Sequence, residues 1–252
     1  MVAVSILPLA GIVDRLLPLD AAQVTVLVPP GMSPHSFEPG IGQLTEIEGA
    51  DFVIELGHPA FAWEGTWLDG LLAGTETPRV RLAEVCDIEE DDPHIWLDPD
   101  CLHRMTGRTA AALADLLPEQ RNEIETLRVA FEAAIDSVDL SVSESLSGSG
   151  RRSFLVQHPA WGYFARAYGL EQLSILSHDS GDRGSVRLAR VMEAAKADGI
   201  RTVIVQPQVN REAARMVARE IGARVEQVDP LARDPLDAFA AMAEALLREP
   251  AE

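Results

Sequence analysis

Val24-Thr25-Val26-Leu27-Val28-Pro29-Pro30-Gly31 is a β-branched, apolar run that stops on a turn. Val and Thr favour extended backbone, and the Pro-Pro-Gly that follows cannot continue it. The same unit recurs on either side. Upstream, Val2-Ala3-Val4-Ser5-Ile6-Leu7 reads as a strand followed by a helical stretch through Leu16. Downstream, Ile41 to Ile47 reads as a helix, and Phe52 to Leu56 as a third strand closed by Gly57. Short strands alternating with helices predict a parallel α/β sheet. Right-handed crossovers then put the C-terminal ends of the strands along one edge.

Asp98-Pro99 carries two helix-start signals, an Asp N-cap and Pro at the first helical position. A helix is expected from Asp100 to Leu117. After Pro118 a longer one runs to Leu146, with Ile124, Leu127, Phe131, Ile135, Val138 and Val142 at three- and four-residue spacing. Ser147-Gly148-Ser149-Gly150 is the clearest linker. Beyond it the alternation resumes. Strands are expected at Phe154 to Gln157, Thr202 to Val205 and Val225 to Val228, and helices at Tyr163 to Tyr168, Val186 to Ala197, Arg211 to Ile221 and Leu236 to Leu247. The expected organisation is an N-terminal α/β lobe over residues 1–117, a long connecting helix over 118–147 and a C-terminal α/β lobe over 148–252.

Composition narrows the function. The 252 residues are 47% apolar and 24% charged, which suits a packed core rather than disorder. Lys and Arg number 21 against 40 Asp and Glu, a net charge of -19. That balance argues against nucleic acid, whose phosphates need clustered cations, while an acidic surface enriches cations nearby. No apolar run approaches the roughly 20 residues of a membrane span. Met1 leads straight into the first strand. Either the chain works in the cytoplasm or an export signal has been replaced by a start methionine. Cys86 and Cys101 lack the paired CxxC spacing of a structural zinc site, and either a disulfide or two buried thiols suits them.

The chemistry resides in histidines set in proline-bounded turns: Ser33-Pro34-His35, Asp92-Pro93-His94 and Gln157-His158-Pro159. His158 directly follows a strand, and His35 lies in the turn region after one. Ligands of open α/β sheets sit beyond the strands' carboxyl ends. Asp229, at the end of the last strand, supplies a carboxylate. His35, His94, His158 and Asp229 can thus converge between lobes as three imidazoles and one carboxylate, a tetrahedral shell suited to zinc. The acidic run Asp87, Glu89, Glu90, Asp91 and Asp92 reads as a solvated charge run. His103, inside a helix, reads as a surface residue, and His178 as a loop residue outside the shell.

The stretches Val28-Pro29-Pro30-Gly31-Met32-Ser33-Pro34-His35-Ser36-Phe37-Glu38-Pro39, His94-Ile95-Trp96-Leu97-Asp98-Pro99, Gln157-His158-Pro159-Ala160-Trp161-Gly162-Tyr163-Phe164-Ala165 and Asp229-Pro230-Leu231 resemble, in order, the four ligand regions of metal-ion ABC-transporter solute-binding proteins. The resemblance covers essentially the whole chain. It implies two sandwich-like α/β lobes joined by a rigid helix, one Zn(II) or Mn(II) ion in the cleft, a monomer outside the cytoplasm, and delivery to a membrane permease. A histidine at the third position, His158 here, is typical of zinc-uptake members, whereas manganese and iron members tend to carry Glu. Two departures stand out. The segment before His94 is short and acidic rather than long and His-rich, and Gln206-Pro207 stands where many members have Glu-Pro. In the resemblance, His58 occupies a position where the family usually has a small or amide residue, so it is an auxiliary ligand, a replacement for Asp229, or a rim residue with no metal contact.

Two other readings compete. In a zinc-dependent hydrolase His35, His94 and His158 would hold the metal while Asp229 or Glu38 activates water. A cytoplasmic metallochaperone or chelatase would need the native gene to lack a signal peptide.

Overall fold

The computed structural model describes residues 1–176 and 184–248. The chain divides into two compact units. One is Met1–Ser137 with Leu231–Pro235, and the other comprises the remaining described residues.

In the first unit the order is β1 (Val2–Val4), α1 (Leu7–Leu16), β2 (Val24–Val26), α2 (Ile41–Glu48), β3 (Phe52–Glu55), α3 (Asp69–Leu72), β4 (Arg79–Arg81) and α4 (Pro99–Leu116). Its sheet has four parallel strands in the order β2-β1-β3-β4. The expected strand through Leu7 is shorter, because Leu7 opens α1 with Pro8 in its first turn. A continuous apolar run does not distinguish strand from helix by its period, and here the proline decides. Asp98 caps α4 as expected, accepting the Cys101 N–H at 3.0 Å. Val2, Val4, Val53 and Ile54 of the sheet are buried, as are Leu9, Ile12 and Val13 of α1 and Leu102 and Met105 of α4.

Strand β4 gave no apolar signal. Arg79-Val80-Arg81 pairs with β3 through charge instead. Arg81 Nε reaches Glu55 Oε1 at 2.9 Å, and both arginines lie 2.6 Å from Asp69. Glu55 is 1% exposed, and burial pushes its carboxyl up while the two guanidiniums oppose that rise. The turn after β3 needs Gly57, whose φ is +71°. A Cβ there would sit 2.7 Å from Cβ of Arg81.

Helix α5 (Arg121–Ser147) carries the chain from the first unit into the second. There follow β5 (Ser153–Val156), α6 (Gly162–Ala167), β6 (Glu171–Ser174), α7 (Gly184–Ala197), β7 (Thr202–Val205), α8 (Glu212–Ile221), β8 (Arg224–Gln227) and α9 (Pro235–Leu247). The second sheet is again four parallel strands, in the order β6-β5-β7-β8. Leu155, Val203, Val205, Ala214, Val217 and Ile221 form its core. Strand β6, Glu171-Gln172-Leu173-Ser174, is a polar edge strand with no apolar run to mark it in the sequence.

Both sheets share one topology, in which the strands stay parallel but the direction of winding reverses between the two central ones. Segments leaving the ends of β1, β3, β5 and β7 therefore flank a switch point, where open α/β sheets hold ligands. Leu56-Gly57-His58 follows β3 and Gln157-His158 follows β5, each at such a point.

Candidate metal centre

In the first unit the ladder outlasts β2. Leu27 N–H donates to Val4 O at 2.9 Å and Val28 N–H to Ser5 O at 3.0 Å. The Pro-Pro-Gly turn then leads to a single 3-10 turn, Pro34–Ser36, which carries His35 at the surface. The His35 ring stands edge-on to buried Phe61 at 5.4 Å and 5.3 Å from the His94 ring. His35 and His94 each offer a ring nitrogen, and these lie within 4.8 Å of each other.

His94 is 3% exposed and precedes the fully buried turn Ile95-Trp96-Leu97. Its Nδ1 lies 2.7 Å from Asp92 Oδ1, and its backbone N–H donates to the same oxygen at 3.0 Å. A carboxylate at Nδ1 fixes the proton there and leaves the Nε2 lone pair for a metal, the arrangement that tunes metal-binding imidazoles. Asp92 is therefore not part of a solvated charge run, as its acidic neighbours suggested. Its side chain is 14% exposed and supports the candidate ligand. The Asp-Pro-His spacing was the signal: a short acceptor two residues before an imidazole, with a proline holding the turn.

Cys86 and Cys101 form a disulfide with their Cα atoms 5.4 Å apart, and the 15-residue separation encloses His94. A closed loop of that length is worth about 3 kcal/mol through the unfolded state.

His58 proves to be neither a rim residue nor exposed. It is 2% exposed, its Nδ1 accepts the Ala60 N–H at 3.1 Å, and its Nε2 lies 3.0 Å from Glu89 O. Burial lowers its pKa, against the opposing pull of the Glu89 carbonyl and Asp92. Both ring nitrogens are thus engaged within the first unit. Beside it lies Glu64, 2% exposed, whose Oε1 accepts from Leu56 N–H at 3.1 Å and Oε2 from Gly57 N–H at 2.7 Å. Burial pushes the Glu64 carboxyl up to about 7, although Ser5 and these two amides favour its charged form.

In the second unit the ladder passes one residue beyond β5, with Gln157 N–H donating to Ile204 O at 2.8 Å. Buried Gln157 also donates through Nε2 to Asn210 O. His158 follows, half-buried, and its carbonyl accepts Ala160 N–H at 2.8 Å in the turn that starts α6. Asp229 follows β8, half-buried, and Oδ1 accepts Gln208 Nε2 at 2.9 Å. His103 reaches Asp136 at 2.8 Å on a partly exposed helix surface. His178 lies outside the described residues.

The profile of ZnuA, the periplasmic component A of a zinc-uptake complex, matches residues 2–249. The chain belongs to this family.

Among relatives, the zinc-binding lipoprotein AdcA of Streptococcus pneumoniae strain R6 is 27% identical over 237 residues, covering 84% of this chain and 46% of AdcA. The high-affinity zinc uptake system protein ZnuA of Bacillus subtilis is 25% identical over 233 residues, covering 84% of this chain and 72% of that protein. The chain thus spans about half the length of the AdcA-type relatives it matches. The crystal structure of a zinc-bound ZnuA deletion mutant superposes with a TM-score of 0.89 at 30% identity, covering 99% of this chain and 98% of that one. The α/β architecture with two parallel sheets is therefore the fold of the family. The family is one of zinc-uptake components rather than enzymes, which sets the hydrolase reading aside.

Proposed function

We propose that this chain captures Zn(II) outside the cytoplasm, as a monomer, and delivers it to the permease of an ABC transporter. One ion is held by His35, His94, His158 and Asp229. The observation that carries the reading is the Asp92–His94 bond, 2.7 Å long, beside the His35 ring. It turns a buried imidazole into an oriented metal ligand with a second imidazole next to it. Family membership supports zinc as the cargo, and so does the donor set, since imidazole suits zinc better than manganese. Zinc is here the substrate, and a shell of four protein ligands leaves no open position for catalysis. Imidazole and carboxylate donors, with no thiolate among them, suit reversible capture. The Cys86–Cys101 disulfide suits an oxidising compartment.

Competitive titration with Zn, Mn and Fe tests the reading on the wild type and on His158→Glu. The wild type is expected to prefer zinc, and the variant to lose part of that preference by exchanging imidazole for a harder oxygen ligand. A wild type that prefers manganese or iron would overturn the zinc assignment in favour of a manganese or iron carrier of the same family.

A further inference from the structure

His58 is buried in the first unit, with a hydrogen bond at each ring nitrogen. Because Nδ1 accepts the Ala60 N–H, the ring proton sits on Nε2 and is donated to the Glu89 carbonyl at 3.0 Å. That same carbonyl accepts the Asp92 N–H at 3.1 Å. Asp92 Oδ1 in turn accepts from both the backbone and Nδ1 of His94. Four residues thus form one run: His58 fastens the turn at Glu89, the turn places Asp92, and Asp92 aims His94.

The base of the run is fixed as well. Leu56 and Gly57, which follow β3 just ahead of His58, donate their amides to Glu64. Glu89 through Asp91 are otherwise an exposed acidic loop, whose like charges favour an open, solvated chain. A loop of that composition does not hold a ligand still by itself. The disulfide pins its ends, and His58 ties it in the middle.

We infer that His58 is a positioning residue for metal binding: it tethers the Glu89–Asp92 turn and so sets the residence time of the ion on His94, without touching the ion. The inference rests on the zinc-binding reading above.

Two substitutions separate the ring's two bonds. His58→Asn keeps an acceptor for the Ala60 N–H, as an Asx turn does, but is too short to reach Glu89. His58→Gln places an amide nitrogen where Nε2 stands and keeps the donor to Glu89. In the full chain, zinc release into excess chelator is followed by stopped flow. Exchange of the Asp92 amide is followed in the metal-free protein, and the d–d spectrum of the Co(II) form is recorded. His58→Asn is expected to speed zinc release by up to about tenfold, the low end for a residue behind a ligand, and to speed exchange at Asp92. His58→Gln is expected to restore both, with the cobalt spectrum the same in all three proteins.

Equal release rates in wild type and His58→Asn overturn the inference, and so does a changed cobalt spectrum, which would make His58 a ligand. If His58→Asn does not fold, His58→Gln decides alone: slow exchange at Asp92 supports the tether and fast exchange overturns it. A wild type that binds neither zinc nor cobalt defeats the functional reading instead, while exchange at Asp92 still reports on the tether.

Discussion

Asp92 uses one oxygen for two tasks. Oδ1 accepts the His94 backbone N–H, which closes the turn across Pro93, and also the Nδ1 proton, which sets the tautomer. The charge matters beyond the geometry, because a carboxylate behind the ring strengthens the bond of the imidazole to a cation. Asp92→Asn keeps an oxygen in place but loses that charge. Its zinc affinity is expected to fall by about 10- to 100-fold, the usual cost of losing such a partner. Chelator competition measures this. An unchanged affinity in a folded variant would show that the carboxylate supports only the turn.

At the scale of elements, the C-terminal ends of β1 and β3 meet at Glu64. Its carboxylate accepts the Leu56 and Gly57 amides and bonds Ser5, the residue that follows β1. Burial outweighs these donors and raises the folded carboxyl from 4.5 to about 7. The folded chain therefore holds a proton that the unfolded chain releases between these two values. The stability that this proton contributes is complete below about 4.5 and is lost as pH rises towards 7. The size is on the order of 3 kcal/mol, since each tenfold change in proton affinity corresponds to about 1.4 kcal/mol. Glu64→Gln is expected to be less stable, because its NH2 faces a backbone donor, and to lose this slope. Urea unfolding at pH 5 and pH 8 compares the two chains, and parallel pH dependence would remove Glu64 from the linkage.

Elements with a strong period or an apolar run were legible in the sequence, and those held by polar pairing were not. Strands β1, β3, β5 and β7 are buried throughout and announce themselves as apolar runs. Strand β4 depends on Glu55 and Asp69 meeting Arg79 and Arg81, contacts far apart in sequence. The histidines of the proposed shell stood out through their prolines. The supports behind them, Glu64 and the tether from His58 to Glu89, appear only once the chain is folded.

At the scale of the molecule, each unit has its own four-stranded sheet and core, and the proposed ligands divide evenly, His35 and His94 from one and His158 and Asp229 from the other. An ion that binds only the native chain stabilises it by mass action, about 2.7 kcal/mol at a free concentration 100 times the dissociation constant. If all four side chains hold the same ion, that stabilisation reaches both units. Amide exchange resolves them, with Val53 and Ile54 reporting on the first sheet and Leu155 and Val203 on the second. Adding zinc is expected to slow exchange at both pairs, and a chelator to reverse it. In the His158→Ala/Asp229→Ala double variant, which leaves the second unit none of its proposed ligands, zinc should protect the first pair only weakly and the second not at all. Protection confined to the first sheet in the wild type would mean that His35 and His94 bind zinc without His158 and Asp229, and the four-ligand shell would have to be abandoned.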